Sequence, residues 1–192
     1  MIQTKKSAPP DRITLGDDLV LRTVRINDAA AVAQAVRESL DHLLPWMPWA
    51  GEESTQEAFQ RTRIRGARHK AQHRHEWQYG LFPRDESSLF GAFGLMADKW
   101  PGTVEIGYWV RVDQIGRGLA TRASRALTNA SLALDGVRKV CIRCDEANVR
   151  SASVPRALGF SLARTETREP EAPAECGRLM VWERTIPIPD PT

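Results

Sequence analysis

The chain has 192 residues, 42% hydrophobic and 27% charged, with a formal net charge of +3. That length holds one domain with a substantial core. The composition excludes wholesale disorder, the charge is too small for a dedicated nucleic-acid binder, and no apolar run approaches the ~18 residues of a membrane span.

The N-terminal stretch MIQTKKSAPPDR has two lysines but no apolar run behind them, so it is no secretory signal and a cytoplasmic location is expected. Residues 1–15 read as a flexible tail, residues 16–187 as one domain and residues 188–192 as a second tail. Leu19 to Arg25 reads as a strand, with Asn27 placed to cap the helix after it. Val32, Ala35, Val36, Ser39 and Leu40 follow at helical spacing. The loop LLPWMPWAG comes next, and Ser54 with Glu57 forms an S-x-x-E box expected to open a second helix. Strands are expected at 77–82, 89–98 and 104–112, then a glycine-rich turn and a helix from Arg117 to about Leu134. That helix carries its apolar residues, Leu119, Ala123, Leu127 and Leu134 among them, at a 3.6-residue period. A strand at 137–144, a short helix from Asn148 to Leu158 and two further strands complete the order. Hairpins alternate with helical crossovers, which predicts an α/β fold with a mixed sheet of about six to seven strands and helices on both faces.

Three cysteines, Cys141, Cys144 and Cys176, do not make a disulfide scaffold. Cys141 and Cys144 lie three apart on a predicted strand and point to opposite faces, so they read as buried structural residues, and no metal is expected.

The segment VEIGYWVRVDQIGRGLAT carries the most chemistry. A strand runs into Gly116-Arg117-Gly118 and an amphipathic helix starts at once. Glycines let backbone N–H groups approach an anion, and the helix dipole favours negative charge there. Pyrophosphate binding and a purely structural turn are both open on this motif alone. It is neither the dinucleotide fingerprint, since Thr121 stands where the third glycine belongs, nor a P-loop.

Four stretches resemble the GNAT superfamily of N-acetyltransferases, and within it the RimJ/RimL-like branch. They are LVLRTVRINDAAAV, HLLPWMPWA, IGYWV followed by IGRGLAT, and DEANVRSASVPRALGF. The third is similar to the acyl-CoA signature Gln/Arg-x-x-Gly-x-Gly/Ala, except that Ile115 stands at the first position and Gln114 one place earlier. The resemblance implies a strongly twisted sheet whose central strands splay apart to hold CoA. It implies transfer of an acyl group, acetyl above all, from acyl-CoA to a primary amine by direct attack.

Residue by residue, the resemblance assigns pantetheine contacts to Val110 and Val112, with a backbone N–H near Val110 for the oxyanion. It places Ile115, Gly116, Arg117, Gly118, Leu119, Ala120 and Thr121 around the pyrophosphate. Asn148 matches an asparagine near the pantetheine and is equally fit to cap its helix. Ser151 is a candidate to assist the departing thiolate, or a first-turn residue serving the backbone. Glu105, sharing a strand face with Gly107 and Trp109, is the candidate general base, with an ion-pair role as the alternative. Neither Tyr79 nor Tyr108 lies in the helix where many relatives carry a tyrosine acid. Trp46 and Trp49 wall the acceptor side, or else form a dimer contact or a local lid on the core.

Arg61, Arg63, Arg65, Arg68, Lys70 and Arg74 form a basic segment with His69 and His73 interleaved, read as a solvated face or as a dock for an acidic group. The expected partners are acyl-CoA and an amine acceptor, a protein N-terminus (of a ribosomal protein) or a small amine, with a homodimer as the expected assembly and neither membrane nor nucleic acid. Succinyl-CoA as donor, a non-catalytic acyl-CoA sensor and an RNA-associated module are the alternatives.

Overall fold

A computed structural model describes residues 8–73, 75–97 and 100–188. β1 (Arg12–Leu15) and β2 (Leu19–Thr23) form a hairpin turned at Gly16, whose φ of +64° suits glycine. β1 corrects the expectation that residues up to 15 are tail. The segment RITL is short, but each of its residues pairs with β2. Residues 1–7 and 189–192 of the two expected tails lie outside the described residues.

α1 (Ala29–Glu38) follows a 3-10 turn at Ile26–Asp28, and Asn27 does not cap it. Asp28 precedes the helix instead. Its carboxylate accepts from the Arg25 N–H at 2.6 Å and takes the two-nitrogen fork of buried Arg22 at 2.7 and 2.9 Å. A four-residue helix, α2 (Leu40–Leu43), leads into the Trp-Pro loop. Ser54 does not cap the next helix. Its hydroxyl closes the turn at Gly51, accepting from the Gly51 N–H and donating to the Gly51 carbonyl, and α3 (Glu57–Gln72) starts after it.

β3 (Glu76–Pro83), β4 (Gly91–Ala97) and β5 (Thr103–Val110) continue the antiparallel meander. Asp98, expected at the end of β4, lies outside the described residues. α4 (Leu119–Leu132) then crosses over to β6 (Lys139–Asp145), parallel to β5. α5 (Val149–Ala157), β7 (Ser161–Thr167) and β8 (Arg178–Arg184) follow. Among the described residues the strands make one eight-stranded sheet, ordered β1-β2-β3-β4-β5-β6-β8-β7, where about six to seven were expected. β1, assigned to the tail by the sequence reading, accounts for the difference.

Helices cover both faces, as the pattern predicts. α4 and α5 pack on one face, against Leu21, Leu81, Leu95, Ile106 and Ile142. α1 packs on the other, against Val20, Phe82 and Trp109. α3 meets that same side through Ile64, beside Val24 and Ala29. Cys141 and Cys144 are buried, and Cys176 is exposed. No helix among the described residues is long and apolar enough to cross a membrane.

Leu119, Ala123 and Leu127, four residues apart along α4, are buried in the sheet-facing core. Leu127→Ala removes a fully buried side chain from that contact and is expected to lower the unfolding free energy by about 3 kcal/mol in a urea melt. A loss under about 0.5 kcal/mol, typical of surface positions, would contradict this packing.

Candidate active site

β5 and β6 pair only at Thr103↔Lys139, Val104↔Val140 and Glu105↔Cys141. Beyond Glu105 they part, while β5 stays on β4 as far as Val110↔Gly91 and β6 stays on β8 as far as Asp145↔Leu179. Arg111 donates its N–H to the Phe90 carbonyl on the β4 side at 2.8 Å. Backbone groups alternate sides along a strand, so those of Tyr108 and Val110 face the gap left by β6.

A cavity of about 550 Å³ occupies this gap and continues to the start of α4. Val110, Ile115, Gly116, Gly118, Leu119, Ala120, Thr121 and Asn148 line it. Gly116 and Gly118 hold φ of +76° and +68°, and a Cβ built on either would meet open space within 4 Å. No side chain caps α4, whose N-cap is Gly118. Its first N–H groups therefore open onto the cavity beside bare glycine backbone, an arrangement suited to a phosphate.

Two expected groove residues turn elsewhere. Val112 lies past the end of β5, in a 3-10 turn at Val112–Gln114, and donates its N–H to Ser39 Oγ at 3.1 Å. Arg117 bonds the Gln114 side chain and lies 5.7 Å from the Phe90 ring centroid. Buried Gln114, next to the irregular Ile115, lines the groove itself.

A second cavity, of about 430 Å³, lies against the other face of β5. Trp46 and Trp49 from the Trp-Pro loop wall it, with Glu105, Arg143 and Arg63. Trp49 sits 6.2 Å from Trp109, centroid to centroid, and the Arg63 guanidinium lies 4.8 Å from the Trp49 ring centroid. Trp46 also reaches the first cavity, whereas Trp49 does not. Glu105 and Arg143 form an ion pair inside this cleft. The loop 168–176 closes the far side, and the Ala174 N–H ties it to the Pro45 carbonyl at 2.9 Å.

The two cavities share Trp46, Met47, Tyr108, Trp109, Asn148 and Ser151. Asn148 caps α5 by accepting the Ser151 N–H at 3.0 Å. Tyr108 donates its hydroxyl to the Ser151 carbonyl at 3.1 Å, with Ser151 Oγ at 3.2 Å. Burial pushes the Tyr108 phenol well above its ordinary pKa, against the opposing bond to Ser151. Burial likewise pushes the Cys144 thiol up. The sequence passed over Tyr108 because it lies on a strand and 43 residues from Ser151. Strand alternation is the signal that could have found it, since Tyr108 faces opposite to Glu105 and toward α5.

The basic segment does not act as one unit. Arg61 pairs with Glu57 at 2.5 Å and Lys70 with Glu76 at 2.7 Å, whereas Arg65 and Arg68 are exposed. The His69 and His73 rings meet at a tilt of 53° with centroids 4.6 Å apart, and Arg74 lies outside the described residues.

Residues 18–161 match the family model described as the acetyltransferase (GNAT) domain. The chain belongs to the GNAT acetyltransferase family. A curated relative, "Putative ribosomal N-acetyltransferase YdaF" of Bacillus subtilis, is 25% identical over 147 residues, covering 76% of this chain and 79% of that protein. The solved structure of RimL, a ribosomal-protein α-N-acetyltransferase in complex with coenzyme A, superposes with a TM-score of 0.82 at 21% identity over 91% of this chain and 98% of its own. RimJ of Mycobacterium smegmatis in complex with a CoA disulfide gives 0.78 at 22% identity over 87% and 81%. The acyl donor of this GNAT enzyme is acetyl-CoA.

The glycine cradle fits the donor's diphosphate. Gly118→Asp would put a carboxylate into the open space before α4 and force a side chain onto a left-handed backbone. The expected outcome is loss of most of the CoA-induced rise in melting temperature in a thermal-shift titration. An undiminished rise would remove the cradle from the donor site.

Proposed function

We propose that this GNAT enzyme acetylates the N-terminal α-amine of a protein, with the donor in the groove between β5 and β6 and the acceptor in the cleft under Trp46 and Trp49. The observation that carries the reading is the junction of the two cavities at Tyr108, Asn148 and Ser151. A thioester bound in the groove supplies an acyl carbon open to amine attack.

The protein's own groups have three tasks there. Glu105, held by Arg143 on the cleft side of β5, takes a proton from the acceptor's ammonium, directly or through a water, and so frees the amine lone pair that attacks the thioester. The N–H of Val110, facing the gap, holds the negative charge that grows on the carbonyl oxygen. Tyr108 gives its proton to the departing sulfur. Burial keeps its phenol protonated through neutral pH, and Ser151 fixes the hydroxyl in place. Asn148 positions Ser151 through the α5 cap.

An α-amine suits this arrangement because its pKa, near ~8, lies below the ~10.4 of lysine, so less work is asked of the base. The relative's printed name, a ribosomal acetyltransferase, supports a ribosomal protein as the acceptor. The cleft itself favours a chain end. The two loops that wall it are tied together at Ala174 and Pro45, so a slender chain end enters more readily than a side chain on a folded surface. The enzyme is proposed to work in the cytoplasm.

Thiol release from acetyl-CoA, measured with peptides bearing free or blocked N-termini, tests this. Free N-termini are expected to turn over, and Nα-blocked peptides with an internal lysine are not. Equal rates with both would overturn the α-amine assignment.

Tyr108→Phe is expected to lower kcat by about 10²- to 10⁴-fold with little change in the CoA-induced melting shift. Glu105→Gln should likewise suppress turnover and spare CoA binding. Wild-type rates in both variants would remove these residues from the chemistry. CoA binding by wild type without turnover of any amine would mark the protein as a sensor.

A further inference from the structure

The charges lining the acceptor cleft are, with one exception, already engaged. Glu105 and Arg143 pair with each other. Arg168 pairs with Glu171 at 2.7 Å and with Glu175 at 2.8 Å. Glu76 takes Lys70 and the Gln78 amide, each at 2.7 Å. Asp145 accepts the backbone N–H groups of Ala147 and Cys176 on one oxygen and of Gly177 and Arg178 on the other, between 2.9 and 3.2 Å.

Arg63 is the exception. Among the described residues its guanidinium has no hydrogen bond and no ion pair, only the Trp49 ring at 4.8 Å. Burial acts on it more strongly than any carboxylate does, and the nearest opposing influence is Glu76.

A half-buried guanidinium without an acceptor is costly, and helices normally leave such a residue in water. Stacking on an aromatic face occupies the flat surface of the guanidinium and leaves its N–H edge free for a bidentate bond. Here that edge belongs to the acceptor cleft, since Arg63 and Trp49 line that cavity and not the donor groove. Two ring contacts in series, 4.8 Å and 6.2 Å, connect Arg63 to Trp109 at the junction of the two cavities.

We infer that Arg63 selects acceptors carrying a carboxylate close to the reacting amine, such as a protein N-terminus with an acidic residue in its first few positions. The amine then meets Glu105 while the carboxylate is held on the Trp49 side, so that the acceptor is gripped at both ends. This rests on the acceptor-cleft reading above and adds the substrate class to it. The other source of a carboxylate is the far end of a dicarboxylic acyl group reaching through the junction. The position of Arg63, away from the donor groove, favours the acceptor.

The test compares peptides that differ only by Asp against Asn at the second or third position, with acetyl-CoA and succinyl-CoA as donors, in wild type, Arg63→Met and Arg63→Lys. The wild type is expected to prefer the acidic peptide in kcat/KM by about 10- to 100-fold, mostly through KM. That ratio should collapse toward unity in Arg63→Met and fall partway in Arg63→Lys, which keeps the charge and loses the fork. The CoA-induced melting shift reports that each variant is folded.

Equal kcat/KM for the two peptides in wild type, or an equal loss on both in Arg63→Met, overturns the inference. So does a preference for succinyl-CoA over acetyl-CoA that Arg63→Met abolishes, because it hands the carboxylate to the donor. Calorimetry of the same peptides on CoA-saturated protein separates this from failure of the transferase reading. If no peptide turns over, tighter binding of the acidic peptide that depends on Arg63 still supports the contact, and equal binding sinks it.

Discussion

Everything about this site depends on where β5 and β6 stop pairing. Each strand keeps its outer neighbour to the end and gives up the inner one after Glu105. Gly91 is part of the reason. A Cβ there would come within 2.5 Å of the Trp109 carbonyl, so only glycine lets β4 follow β5 this far. On the other side, Asp145 gathers four backbone N–H groups from the segments around it and fixes the end of β6 to the start of β8. The gap between the strands exposes main-chain donors and acceptors in the middle of a sheet, where they are normally paired. Under the proposed reading an extended ligand arm would satisfy them as an added strand does, and the glycine turn before α4 would receive the charged end of the same ligand.

The residues at the junction hold one another in place. Asn148 ends a strand-to-helix turn, and its cap bond sets the position of Ser151. Ser151 in turn receives the Tyr108 hydroxyl across the gap. A buried phenol with a raised pKa is a reluctant anion and a durable proton donor, which fits it to a leaving group that departs as a thiolate. Cys144 is buried beside the same serine and remains a protonated thiol for the same reason.

Much of this was legible in the sequence because its signals are local. Alternation marked the strands, a 3.6-residue stripe marked α4, and glycines flanking Arg117 marked the turn. Local signals also misled. Asn27 and Ser54 have the right residue types for caps, but Asp28 is committed to buried Arg22 and Ser54 to Gly51, and the helices start elsewhere. Val112 and Arg117 sit in motif positions, yet a bond to Ser39 and one to Gln114 turn them from the groove. Tyr108 was invisible as a proton donor because its partner comes from another element. Pairings between distant side chains have no period to read.

Charge shows the same limit. Counted along the chain, residues 61–74 form a basic run, and a run of like charge suggests a polyanion or plain solvation. In the fold, Gln60, Ile64 and Ala67 form the buried stripe of α3, which turns Arg65 and Arg68 outward and pairs Arg61 and Lys70 with their own carboxylates. Arg63 stands beside the stripe, adjacent to Ile64, and is carried into the cleft by it. The significance of the run is therefore concentrated in one residue, and what decides its role is the absence of an acceptor around it among the described residues rather than the number of cations near it.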